Sequence, residues 1–129
     1  MNGVRVGDEL PPLDVPLTRT LVVGTAIASR DFQDVHHDAE IAKASGAKDV
    51  FMNILSTNGF VGRFVTDWAG PNAVLKKVAI RLGVPNYPGD TMRMTGRVTG
   101  VRGSEVDVEV RGANSLGDHV TGTVTLRLP

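Results

Sequence analysis

The second half of the chain alternates. Met92, Met94 and Val98 take turns with Arg93, Thr95 and Arg97, and Val106, Val108 and Val110 with Asp107, Glu109 and Arg111. Val120, Val124, Leu126 and Leu128 alternate with Thr121, Thr123, Thr125 and Arg127, and Val78, Ile80 and Leu82 with Lys77, Ala79 and Arg81. A period of two places every second side chain on one face of a strand, so each of these strands buries a single face. Turns at Val101–Ser104, with Gly103, and at Asn114–Asp118, with Gly117, make antiparallel hairpins of them. A one-sided sheet must be covered by an element with enough apolar surface.

That element precedes the strands. Ile54–Trp68 is the longest helical candidate. Ile54, Val61, Val65 and Trp68 fall on one face, Leu55, Gly59 and Gly62 on another, and Phe60 with Phe64 on a third. Apolar residues nearly all round predict a buried helix. Its two glycines lower helix propensity by roughly 1 kcal/mol each, and close packing of backbone against the sheet is the expected compensation. Gly70-Pro71 is the stop signal. Upstream, Leu17–Val23 reads as a first strand, with Thr25 capping a short turn through Ser29. Asp38 has the chemistry of an N-cap for a short helix over Ala39–Ala44. The fold class predicted is α+β, an antiparallel sheet wrapped around a long central helix: the hotdog arrangement. The open sheet edge invites pairing, so at least a dimer is expected.

At 129 residues one domain is expected, spanning 1–129, with 1–16 as an extended lead-in rich in Pro and Gly. Fourteen basic and fourteen acidic residues leave no net charge and no basic arm, so binding nucleic acid through its phosphates is not expected. The absence of cysteine excludes disulfides, Cys-ligated metals and a thiol nucleophile. No apolar run approaches the ~20 residues that span a bilayer, and the N-terminus lacks the apolar core of a secretory signal. A cytoplasmic protein without membrane contact is the reading.

Sequence signatures for nucleotide loops, nucleophile elbows and zinc proteases are missing. The polar loop Arg30–Asp38 stands out instead, with Asp31, Asp34, His36, His37 and Asp38. A carboxylate and an imidazole five residues apart in a turn, Asp31 and His36, are able to hold one water between a proton acceptor and a proton donor. The bland alternative has Asp31 ending a turn, Asp38 capping a helix and the histidines in solvent. A metal reading would gather Asp34, His36, His37 and Asp38 with the distant Asp118 and His119; no metal is expected. Asp118-His119 is otherwise read as a turn carboxylate and a surface histidine. At Asn53-Ile54 the unpaired N–H groups of the long helix would carry partial positive charge, fit to hold a developing oxyanion, with Asn53 as cap. Met92, Met94, Phe64 and Trp68 are read as core, and Lys76-Lys77 as a solvated face.

The loop Asp31-Phe32-Gln33-Asp34-Val35-His36-His37-Asp38 resembles the D-x-N-P-x-H-x-D motif of the MaoC-like enoyl-CoA hydratases. The resemblance covers the order of elements from residue 17 onward. It implies a hotdog fold and addition of water to a trans-2-enoyl thioester. Asp31 and His36 would be catalytic, the backbone N–H of Ile54 would hold the oxyanion, and Asn53 would contact substrate. It implies no cofactor beyond the coenzyme A carried by the substrate. Two positions depart from the pattern: Gln33-Asp34 replaces Asn-Pro, and Asn53-Ile54 stands where histidine and glycine are usual.

The stretches ASRDFQDVHHD, VTDWAGP, RLGVP and LGDHVT resemble the small-subunit branch of actinobacterial steroid side-chain hydratases. That branch implies a steroid enoyl-CoA substrate. It also implies assembly with a larger MaoC-like hotdog subunit into a heterotetramer, with a homodimer as the other possibility. Two other readings remain open: a hotdog acyl-CoA thioesterase, and a non-catalytic subunit that binds acyl-CoA or scaffolds a partner.

Overall fold

The computed structural model describes residues 3–129. The chain runs β1 (Leu13–Pro16), α1 (Arg19–Ala28), a 3₁₀ turn (Asp34–His36), α2 (Ala39–Ala44), α3 (Ile54–Ala69), β2 (Val74–Leu82), β3 (Thr91–Arg102), β4 (Glu105–Asn114) and β5 (Gly117–Arg127). The strands form one antiparallel sheet in the order β1-β3-β4-β5-β2. The two hairpins join β3 to β4 and β4 to β5, as the alternation predicts. Their inward residues Met92, Met94, Val98, Val106, Val108, Val110, Val120, Val124 and Leu126 are buried together with Val61, Phe64 and Val65 of α3. The sheet therefore wraps the central helix. β2, at one edge, is exposed along most of its length; Leu82 is exposed, and only Val78 and Ile80 are half-buried. Among the described residues no helix is long and apolar enough to cross a membrane.

Three expectations are corrected. Leu17–Val23 is not a strand. Thr18 caps α1 by accepting from the Leu21 N–H at 3.0 Å, and Val22 and Ala26, one turn apart, bury its inner face. Leu21-Val22-Val23 has the composition of a strand, but burial at helical spacing outweighs that weak preference. The first strand lies earlier, at Leu13–Pro16, on the sheet edge where a proline is tolerated. The lead-in expected over 1–16 thus ends in a strand, and Met1 and Asn2 lie outside the described residues.

The second correction concerns the burial of α3. Thr57, Val61, Phe64, Val65 and Ala69 face the sheet, whereas Ile54 and Leu55 are half exposed. The third concerns its glycines. A Cβ at Gly59 would meet nothing, and one at Gly62 only Leu75 at 3.8 Å. The glycine that admits the helix is on the sheet: a Cβ at Gly96 of β3 would lie 2.9 Å from the Phe64 ring.

Candidate active site

The end of α1 delivers Asp31. The Arg30 N–H donates to Ile27 O at 3.0 Å and the Asp31 N–H to Ala26 O at 2.9 Å, the paired bonds of a Schellman cap. Arg30 takes the left-handed conformation such a cap needs, with φ 58°. Asp31 Oδ1 then accepts from the Gln33 N–H at 3.3 Å, and the chain tightens into the 3₁₀ turn that carries His36. Asp38 caps α2, accepting from the Glu40 and Ile41 N–H groups at 3.1 and 3.3 Å.

His36 is buried, its ring edge-on to Phe51 with centroids 5.0 Å apart. Nδ1 lies 2.7 Å from the Phe51 carbonyl, which only accepts, so Nδ1 carries a proton. In the neutral ring Nε2 is then an acceptor, and it lies 3.5 Å from Asp31 Oδ2. Two acceptors at that separation are suited to one shared donor, such as a water giving a hydrogen to each.

The N-terminus of α3 completes the arrangement. Asn53 Oδ1 accepts from the Ser56 N–H at 3.3 Å and from the Ser56 hydroxyl. Its Nδ2 donates to Asp31 Oδ2 at 3.1 Å and to Ser29 Oγ at 3.0 Å. The Asn53 amide holds the Asp31 carboxyl below the usual carboxylate range, assisted by the Gln33 N–H and the neighbouring imidazole and opposed by partial desolvation. Ile54, the first residue of α3, has a backbone N–H without an intrahelical acceptor.

Asp31, His36, Asn53 and Ile54 all border one crevice of about 390 Å³, walled by Val35, Phe51, Met52, Leu82, Val84 and Pro85. Asn53, expected to contact substrate, lines the crevice and gives its side-chain polar atoms to Ser56, Ser29 and Asp31.

His119 also lines this crevice. It is 2 % exposed and not the surface histidine expected. Its Nδ1 donates to Val84 O at 2.7 Å, so Nε2 accepts from the Thr57 hydroxyl at 2.8 Å. Burial lowers its basicity against the opposing pull of the Val84 carbonyl. The ring ties β5, α3 and the segment after β2 together at the crevice wall. Sequence reading passed over Ser29, Ser56 and Thr57 as partners. Only Ser56, three positions after a capping Asn, carried a local signal.

The other polar residues of the loop and of β5 disperse. Asp34 and His37 face each other at the surface at 3.6 Å, and Asp118 pairs with Arg111. Among the described residues no three His, Asp or Glu converge as a ligand group.

The model of the MaoC like domain matches residues 3–119. The chain is 53% identical over 123 residues to the 3-oxo-4,17-pregnadiene-20-carboxyl-CoA hydratase beta subunit of Mycobacterium tuberculosis, covering 95% of each chain. It superposes on a chain in the crystal structure of the ChsH1-ChsH2 complex from Mycobacterium tuberculosis with a TM-score of 0.96 and 52% identity, covering 97% of this chain and 98% of the other. The (R)-hydratase from A. caviae involved in PHA biosynthesis shares the hotdog fold, with a TM-score of 0.87 at 21% identity and full coverage of both chains.

Proposed function

The chain belongs to the MaoC-like domain family, and from that membership we propose that it is the water-adding subunit of an enoyl-CoA hydratase. The observation that carries the reading is the convergence of Asp31 Oδ2 and His36 Nε2, 3.5 Å apart, on a crevice that also holds the start of α3. A trans-2-enoyl thioester would enter with its carbonyl oxygen on the Ile54 N–H. There the helix dipole favours the charge that develops as the thioester becomes enolate-like.

Water would lie between Asp31 and His36, donating a hydrogen to each and turning a lone pair toward C3. The C3–O bond forms as the C2=C3 π pair moves onto C2 and the carbonyl. One of the two acceptors takes the water's proton, and a proton returns to C2. The sum is OH on C3 and H on C2, with the pair restored. No metal and no cofactor beyond the substrate's own coenzyme A takes part. The apolar walls of the crevice suit an acyl chain rather than a polar one.

The relative of 53% identity is named for a pregnadiene-carboxyl-CoA substrate, and the chain that superposes with a TM-score of 0.96 was solved within the ChsH1-ChsH2 complex. On that basis we assign this chain a steroid side-chain enoyl-CoA substrate and a larger MaoC-like hotdog subunit as partner in a cytoplasmic heterotetramer. The exposed β2 edge is consistent with such assembly.

The test is loss of enoyl-thioester absorbance by the chain co-purified with its partner. Asp31→Asn and His36→Gln, made singly, should each lower turnover by roughly 10² or more. Full activity in either variant would refute the assignment. Release of free thiol would move the reading to a thioesterase. Loss of activity only on mutating the partner's equivalent positions would leave this chain a non-catalytic subunit.

A further inference from the structure

Asn53 is 1% exposed, and each polar atom of its side chain has a partner within the protein. The two ends of an amide are nearly equal in size, so packing alone does not decide which faces Asp31. Hydrogen bonding decides it twice. The Ser56 backbone N–H only donates, which requires Asn53 Oδ1 to face α3. The Ser29 hydroxyl gives its hydrogen to Thr25 O at 2.7 Å, which leaves its oxygen to accept from Asn53 Nδ2. Reversing the amide would set N–H against N–H at the helix and oxygen against the Asp31 carboxylate.

We infer that Asn53 is a positioning residue whose amide, locked by the α3 cap and Ser29, keeps a proton donor on Asp31 Oδ2 and so holds Asp31 as a proton acceptor at the crevice. The start of α3 thereby sets both the oxyanion site and the state of the carboxylate. The titratable group facing Asp31 is His36, from the 3₁₀ turn at 3.5 Å. His119 reaches the crevice from β5, but both its ring nitrogens are tied to Val84 and Thr57. No Lys or Arg lines the crevice among the described residues. The lowered Asp31 carboxyl, with the Asn53 bond as its main cause, agrees with this arrangement.

The inference rests on the hydratase reading for its kinetic readout alone. Two substitutions separate the lock from the cap. Asn53→Asp and Asn53→Thr both keep a good N-cap side chain. The first presents a carboxylate to Asp31, and the second is too short to reach it. Titration of the Asp31 carboxyl carbon by NMR in the full chain, with Asp31→Asn identifying the resonance, should move up by about one pH unit or more in Asn53→Asp and by less in Asn53→Thr. The acid limb of kcat/KM should move the same way. kcat should fall with KM nearly unchanged, since the side-chain polar atoms of Asn53 are spent on Ser29, Asp31 and Ser56.

An Asp31 midpoint that stays put in both folded variants overturns the inference, as does a rise in KM at constant kcat. If Asn53→Asp does not fold, the Asn53→Thr midpoint decides alone. Absence of hydration by the wild-type complex, together with the NMR shift, would refute the hydratase reading and leave the lock standing.

Discussion

Replacing Thr57 by Val tests the buried tie between α3 and β5. Thr57 is fully buried and His119 is 2 % exposed, and the hydroxyl is 2.8 Å from Nε2. Valine keeps the shape and removes the donor. Nε2 is then an acceptor shut away from water, because Nδ1 is held by Val84 O. Leaving such a group unpaired costs about 1–3 kcal/mol. At this chain length 1 kcal/mol moves the melting temperature by roughly 3–5 °C, so thermal unfolding at pH 7.5 should show a fall of roughly 3–15 °C.

The pairwise part is isolated by a cycle with His119→Phe. The double variant should recover part of the loss, with a coupling of about 0.5–3 kcal/mol, because neither the hydroxyl nor Nε2 is then left unpaired, and the loss of the Val84 bond, shared with the single His119→Phe, cancels in the cycle. A Thr57→Val protein that melts with the wild type, or singles that simply add, would refute the reasoning.

Other outcomes follow from the same geometry. Burial depresses His119 below its ordinary 6.5, so the folded state resists its protonation. Its contribution is whole at neutral pH and is lost as pH falls below about 6.5; chemical denaturation should show stability declining from pH 7 to 5, with a shallower decline in His119→Asn. Arg30 holds φ 58° without being glycine, a conformation that costs roughly 1–2 kcal/mol for an L side chain. Arg30→Gly should raise the melting temperature by a few degrees, and a drop would show that its side chain stabilises the cap. A Cβ at Gly83 would lie 2.2 Å from the Asp118 carbonyl. Gly83→Ala should shift the segment that His119 pins, and unchanged melting and KM would contradict that.

The parts of the fold written in short repeats were legible in the sequence. The alternation of β3, β4 and β5 and the Asp38 cap rest on neighbours within a few residues, where spacing is the cause. α1 was not legible. Its Leu21-Val22-Val23 run favours a strand locally, and only the packing of Val22 with Ala42 and Val50, and the burial of Ala26 one turn on, makes it a helix. The α3 glycines suggested backbone contact on the helix, but the space was cleared at Gly96, on an element distant in sequence.

The site divides the same way. Asp31 and His36 share one loop and were visible as a pair. The bonds that orient them were not: Asn53 reaches Asp31 across 22 residues, and His119 reaches Thr57 across 62. Such partners are set by the fold rather than by spacing.

A crystal structure of the protein with its partner and a bound 3-hydroxyacyl-CoA product tests the central claim most directly. The added hydroxyl should lie about 2.6–3.2 Å from both Asp31 Oδ2 and His36 Nε2, with the thioester oxygen on the Ile54 N–H. A hydroxyl out of reach of both groups, or held by residues of the partner instead, would contradict it.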